Sequence, residues 1–346
     1  MEFTRDLLLD DERRMLLESV SSFRAQVLDE FAREMDERPS SGRVEEVWKQ
    51  AGPLGITEAL LSGDKGGQGM DIYSFCLVLE EVARSSAGLS ALLLSHNLAL
   101  RALDHSGVSD LDGVPLAGEG WAALSFPLKT AEHGYRVDFV PGGSGASLFV
   151  FALPGGDDLY RVYPGDGISV EEIIDPLGLR AAKPAALLVG EVGDEMVCGK
   201  LGEAGVGQLE AILLLGIGSI SLGLARQAYD KAYAYARERY QACDYIINHE
   251  QIRLMLSDML LGIEASGVAV RQAAVGDGSV SPRLSACRAA KVLACGRTVS
   301  ATTDGVQIHG GYGYMREYGM ERLMRDAKYC QSFPRSPQEE MLALLD

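Results

Sequence analysis

The sequence changes texture twice, and those two changes restrict the fold more than any single motif. Up to about residue 110 the apolar residues recur at helical spacing. DDERRMLLESVSSFRAQVLDEFAREMDER brings Met15, Leu16, Val20, Phe23, Val27 and Phe31 near one face. VEEVWKQAGPLGITEALL predicts a second helix that stops near Gly52-Pro53, and a Gly-rich loop then leads to two helices broken near Ser85–Gly88. Between about 115 and 207 the pattern becomes short β-leaning runs, GWAALSFPL, YRVDFVPG, ASLFVFALPG, DLYRVYPG and PAALLVGEV, punctuated by Pro-Gly and Gly-Gly turns. From about 208 long Ala-rich helical segments return. The expected architecture is α+β multidomain: an N-terminal helical domain over 1–114, a small middle β domain over 115–207, and a C-terminal four-helix-bundle domain over 208–346.

Composition excludes several roles. With 47% hydrophobic residues in 346, the chain can bury a core large enough for more than one domain. A net charge of −17 is the wrong sign for a nucleic-acid surface, and the acidity is spread along the chain rather than gathered in a tail. The six cysteines form no CxxC pair and no His/Cys metal spacing, so they are expected to be reduced core thiols of a cytoplasmic protein. The acidic start MEFTRDLLLDDERR does not have the form of a signal peptide. The apolar run AILLLGIGSISLGLA, Ala211 to Ala225, is short for a membrane span and carries Gly and Ser, which favours a buried helix.

Three segments resemble one family. GDKGGQGMDIYSFCLVLEEVAR (Gly63–Arg84), YAYARERYQACDYIINHEQI and above all QIHGGYGYMREYGMERLMRDAK are similar to stretches of the acyl-CoA dehydrogenases. The resemblance implies two helical domains flanking a β domain, a tetramer built from dimers, and FAD lying across a subunit interface. It assigns the pyrophosphate and adenine end of a neighbour's FAD to Arg239, Gln241, Gln307, Gly310 and Gly311. The chemistry agrees with that assignment. A permanently charged guanidinium suits a pyrophosphate, and paired glycines let backbone N–H groups approach an anion. The family's Arg-x-x-Phe-Gly here reads Arg239-Tyr240-Gln241-Ala242-Cys243, and Gln251 lies one residue late.

What the family uses on its own substrate is missing. Its reaction needs a carboxylate to take the α-proton of an acyl-CoA thioester and donors on the thioester carbonyl. Counting from Arg-Asp-Ala-Lys places the usual Glu-Gly-Thr on Pro334-Arg335-Ser336. Proline supplies neither the carboxylate nor the backbone N–H that the family also uses there. The alternative base position upstream of the FAD-contacting Arg reads Leu213-Leu214. Glu210, one turn earlier, is the nearest surviving carboxylate and is expected to be solvated, as are Glu339 and Glu340 beyond the Pro334–Pro337 break. In the β domain Ser125 matches a hydroxyl near the flavin, Phe126 replaces an acid, and the Trp-Ile-Ser/Thr strand behind the flavin ring is expected to be skipped.

These losses and retentions favour a non-catalytic subunit that completes the FAD site of a homologous catalytic subunit, in an α2β2 assembly whose substrate is an acyl-CoA. Electron-transfer flavoprotein is the acceptor that the resemblance implies. An active homo-oligomer with a relocated base such as Glu210, or a flavin-free acyl-CoA-binding scaffold, are the competing readings.

Overall fold

The structure is a computed structural model that describes residues 9–108, 111–126, 128–131, 134–190, 192–275 and 283–345. Helix α1 (Asp11–Phe23) begins on the Asp10 side chain, which accepts from the Arg13 N–H, and runs through a π-helical turn (Arg24–Leu28) into α2 (Asp29–Glu37). The wider turn carries the buried stripe from Leu17, Val20 and Phe23 onto Leu28, Ala32 and Met35. Met15 does not share the core face expected of it: two residues before Leu17 on α1, it lies on the opposite side of the helix and is 71% exposed. Helices α3 (Arg43–Ala51), α4 (Ile72–Ala83) and α5 (Ala87–His105) follow, with α5 buried almost throughout. The loop before α4 needs its glycines: a Cβ on Gly67 would fall 2.1 Å from the Leu61 carbonyl oxygen.

The middle of the chain folds into two four-stranded sheets. Strands β1 (Ala122–Leu124), β4 (Leu148–Ala152), β5 (Asp158–Val162) and β8 (Val197–Lys200) lie in the order β1-β4-β5-β8. Strands β2 (Lys129–Thr130), β3 (Tyr135–Val140), β6 (Ile168–Glu172) and β7 (Ala185–Val189) form the other, β2-β3-β7-β6. The YRVDFV segment, expected as a β-leaning run, is β3 and pairs with β7. Helix α5 closes the free edge of β1, because His96 Nδ1 accepts from the Ala122 N–H (3.0 Å) and Ser95 Oγ from the Leu124 N–H (3.2 Å). Burial holds that imidazole neutral, with its pKa lowered to about 3.

The C-terminal block contains α6 (Gly202–Glu238), α7 (Glu250–Val275), α8 (Leu284–His309), α9 (Met320–Ser332) and the short α10 (Pro337–Leu342). The apolar run at Ala211–Ala225 proves to be part of a helix of 37 residues, long and apolar enough to cross a membrane. In this fold 94% of its most apolar window is buried between the other helices. None of the six cysteines is paired; Cys76, Cys287, Cys295 and Cys330 are buried, Cys198 is half-buried and Cys243 is exposed.

Candidate functional site

Arg239, Gln241, Gln307, Gly310 and Gly311 come from two distant stretches of chain, and the fold brings all five to one cavity of about 710 Å³. Arg239 is the C-cap of α6. Its N–H donates to Tyr235 O (2.9 Å) and its carbonyl accepts from the Ile246 N–H (2.9 Å), so the backbone that carries the guanidinium is held at both ends. Between these bonds lies a hairpin of β9 (Tyr240–Gln241) and β10 (Asp244–Tyr245). Ala242 and Cys243 turn it at φ of 50° and 68°. This explains why the motif that resembles Arg-x-x-Phe-Gly can end on Cys243: the turn still forms, with a side chain in a conformation that glycine adopts more readily.

The second wall is the end of α8. Gln307 is exposed on its last turn, and Gly310 leaves the helix at a φ of 61°, where L side chains are strained. No atom stands within 4 Å of where a Cβ would be on Gly310 or Gly311, so both face open space. The glycines thus form a cradle rather than a tight crossing. Beneath it, Tyr235 and His309 stack at 4.4 Å, and the Arg239 guanidinium lies 5.9 Å from the centre of the Tyr312 ring. Among the described residues no carboxylate pairs with Arg239, in a chain with a large acid excess. His309 Nδ1 bonds the Gly305 carbonyl (2.8 Å), and burial lowers its pKa, with the Lys231 ammonium contributing in the same direction.

The region around Pro334 is built differently. Phe333, Phe139 and Tyr329 pack their rings together between β3 and α9, with Phe139 and Tyr329 at 4.1 Å and Phe139 and Phe333 at 5.8 Å. Next to them Leu94, Leu124, Phe126, Leu213, Ile217 and Phe333 enclose a void of only about 10 Å³, which is marginal for a single water. Ser125 lies beside it, fully buried. Its N–H donates to Val150 O (2.9 Å), while its Oγ has no hydrogen-bond partner.

Glu210 is not solvated as expected. It is buried, and its Oε1 accepts from Arg288 Nη2 and from Arg335 Nη1, both at 2.7 Å. Glu340 is a second correction. It is completely buried, pairs with Arg288 Nη1 at 3.1 Å, and burial raises its pKa against the pull of the surrounding cations. Lys291, also buried, donates to the carbonyls of Gln331 and Arg335, each at 3.0 Å. The reason is that chain does not dissolve into loop after Pro334. Ser336 and Glu339 form a capping box with Pro337 in the first turn, which starts α10 and turns Glu340 inward. Glu339 stays exposed as expected. The Ser-Pro-x-Glu spacing signals this helix in the sequence; the buried cations Arg288 and Lys291 carry no such signal.

The Arg-Asp-Ala-Lys segment joins domains. Arg325 pairs with Asp36 of α2 at 2.7 Å, and Asp326 Oδ1 accepts the Leu179 N–H of the middle domain at 2.7 Å.

Two family models cover most of the chain: acyl-CoA dehydrogenase, N-terminal domain, over residues 10–111, and acyl-CoA dehydrogenase, C-terminal domain, over residues 215–333. The chain belongs to the acyl-CoA dehydrogenase family. A curated relative, the probable acyl-CoA dehydrogenase fadE25 of Mycobacterium leprae, is 27% identical over 97% of this chain and 95% of its own length. Among solved structures, butyryl-CoA dehydrogenase of Megasphaera elsdenii superposes with a TM-score of 0.83 at 23% identity, covering 97% of both chains. An acyl-CoA dehydrogenase of Bacillus anthracis, solved with FAD, gives 0.84 at 19%, covering 97% of this chain and 66% of its own. These confirm the expected acyl-CoA dehydrogenase fold of helical, β and helical parts, in a family of FAD-dependent oxidoreductases.

Proposed function

We propose that this chain is the non-catalytic subunit of a heteromeric acyl-CoA dehydrogenase, lending Arg239, Gln241, Gln307, Gly310 and Gly311 to the FAD of a homologous catalytic subunit. The single observation that carries this is the contrast between the two regions. The Arg239 cavity is open, uncompensated in charge and lined by an exposed glycine pair, so its donors fit a pyrophosphate. The place where the chain would hold its own flavin ring and acyl group is packed with Phe126, Phe139, Leu213, Tyr329 and Phe333. The Ser125 hydroxyl, buried and without a hydrogen-bond partner, is the remaining group that the resemblance places at a flavin edge.

In the family's reaction FAD, when bound, accepts the hydride from the acyl β-carbon. This chain's contribution is binding and orientation. The guanidinium of Arg239 neutralises phosphate charge, and the Gly310-Gly311 N–H groups approach it without a Cβ in the way. Pro334 offers no proton acceptor, and Glu210 is held as counter-ion to two arginines rather than poised as a base. An α2β2 assembly in the cytoplasm, passing electrons to electron-transfer flavoprotein, completes the reading by analogy with the family. The six unpaired cysteines suit such a compartment.

The test is to purify the chain alone and co-expressed with its catalytic homologue, then record visible spectra and subunit ratio. Flavin absorbance confined to an equimolar complex is expected. A yellow, acyl-CoA-oxidising preparation of the lone chain overturns the proposal.

A further inference from the structure

His309 lines the Arg239 cavity without being one of the five residues that the sequence assigns to it. It sits between Gln307 and the glycine pair and is only 4% exposed, so the cavity meets no more than an edge of its ring. The other sides of that ring are taken. One face stacks on Tyr235 at 4.4 Å, the Tyr318 ring stands nearly perpendicular at 5.9 Å, and Nδ1 turns back onto the Gly305 carbonyl at 2.8 Å. Among the described residues nothing bonds Nε2, yet that atom is not sealed in, unlike Nε2 of His96, which is shut in the core without a partner. The free edge of His309 is therefore the one that carries Nε2, and it opens on the cavity.

The neighbours of the ring also fix where its proton lies. A carbonyl only accepts, so Nδ1 must carry the hydrogen that bonds Gly305. Burial keeps the ring neutral against the pull of that bond, and the Lys231 ammonium acts in the same direction as burial. A neutral imidazole protonated at Nδ1 has its lone pair on Nε2. The cavity thus holds an acceptor of fixed direction beside two sets of donors, the Arg239 guanidinium and the Gly310-Gly311 backbone. Tyr235, on which the His309 ring rests, lies one turn of α6 before Arg239, ~6 Å along the helix axis. A nucleoside joined to a phosphate at Arg239 spans that step, and a cavity of about 710 Å³ has room for it.

We infer that His309 Nε2 accepts a hydrogen bond from the nucleoside part of the bound dinucleotide, a ribose hydroxyl or the adenine amino group, and so selects the nucleotide; this rests on the cofactor reading above. Arg239 and the glycine pair hold phosphate whatever base follows it, whereas His309 makes the choice. A hypoxanthine base presents a carbonyl where adenine has its amino group, and two lone pairs then face each other. A missing ribose hydroxyl leaves Nε2 with nothing to accept. Either mismatch strands a desolvated acceptor, which costs more than one hydrogen bond is worth in water.

Calorimetry on the purified lone chain tests this, because every residue involved lies on one chain. The probes are ADP, inosine diphosphate, ADP lacking one or the other ribose hydroxyl, and inorganic pyrophosphate. ADP is expected to bind, and one of the three analogues to bind about tenfold more weakly. Inosine diphosphate is the weak one if the donor is the adenine amino group, and a deoxy form if it is a ribose hydroxyl. His309→Leu should bind ADP and that analogue alike, at the weaker affinity, with pyrophosphate binding unchanged. Nitrogen NMR of the wild-type ring gives a second reading that stands even where the leucine variant does not fold. The His309 Nε2 signal, identified by its loss in His309→Gln, should be that of an unprotonated nitrogen and should move with ADP but not with pyrophosphate. A protonated Nε2, one unmoved by ADP, or a His309→Leu protein that still discriminates overturns the inference. Equal binding of ADP and all three analogues also overturns it, while pyrophosphate binding leaves the cofactor reading in place. A chain that binds neither ADP nor pyrophosphate overturns both.

Discussion

Arg335, the residue directly after Pro334, donates a 2.7 Å hydrogen bond to Glu210, the carboxylate nearest to where a base belongs. Arg288 donates a second to the same oxygen and a third to Glu340. Glu210, which the sequence offers as a candidate base, is thus held in an ion cluster that anchors the segment around Pro334.

Glu210→Gln should therefore destabilise the protein rather than alter chemistry. Removing one partner of a buried ion cluster leaves uncompensated charge and costs about 3–5 kcal/mol where burial is complete; ~2–3 kcal/mol is expected here because Arg335 is partly exposed. Urea unfolding measures this, with turnover of the co-purified complex unchanged per folded molecule. A fall in turnover without a fall in stability would move Glu210 back to catalysis.

Arg239→Ala should lower flavin retention of the complex about tenfold or more, the scale of a lost charge-assisted bond to phosphate. Arg239→Lys should recover part of it, because the charge returns without the planar fork. The ratio of flavin to protein absorbance after gel filtration reads both, and equal retention in all three proteins excludes Arg239 from the site.

Pro334→Glu should not make the lone chain oxidise acyl-CoA. The neighbouring Phe333 closes, with Phe126 and Leu213, a void of only about 10 Å³, which leaves no room there for an acyl group. Steady-state assays with an artificial electron acceptor decide, and measurable turnover would show that the packing opens.

Asp326→Asn should stabilise the protein at neutral pH. Burial, with Asp36 adding to it, raises the Asp326 carboxyl to about 6. It is protonated more readily folded than unfolded, so its contribution to stability falls as pH rises from about 4 to about 6, by about 3 kcal/mol for a shift of some two units. Asparagine keeps the acceptor for the Leu179 N–H and does not ionise. Melting temperatures should exceed the wild type's at about pH 7.5 and match them near pH 4.5; identical profiles would place the titration elsewhere.

The sequence by itself determined the order of helical and β parts, the break between α4 and α5, and five of the residues that line the Arg239 cavity. Periodicity, Pro-Gly punctuation and short motifs are local, so they survive without coordinates. It also showed that Pro334 carries no carboxylate. The tertiary structure alone decided that Glu210 and Glu340 are buried ion-pair partners. Their cations sit on α8 and after α9, far along the chain, and the desolvation that makes such a pair matter exists only once the helices pack. The same holds for Phe139, which reaches the Tyr329–Phe333 pair at the end of α9 only when β3 lies against that helix.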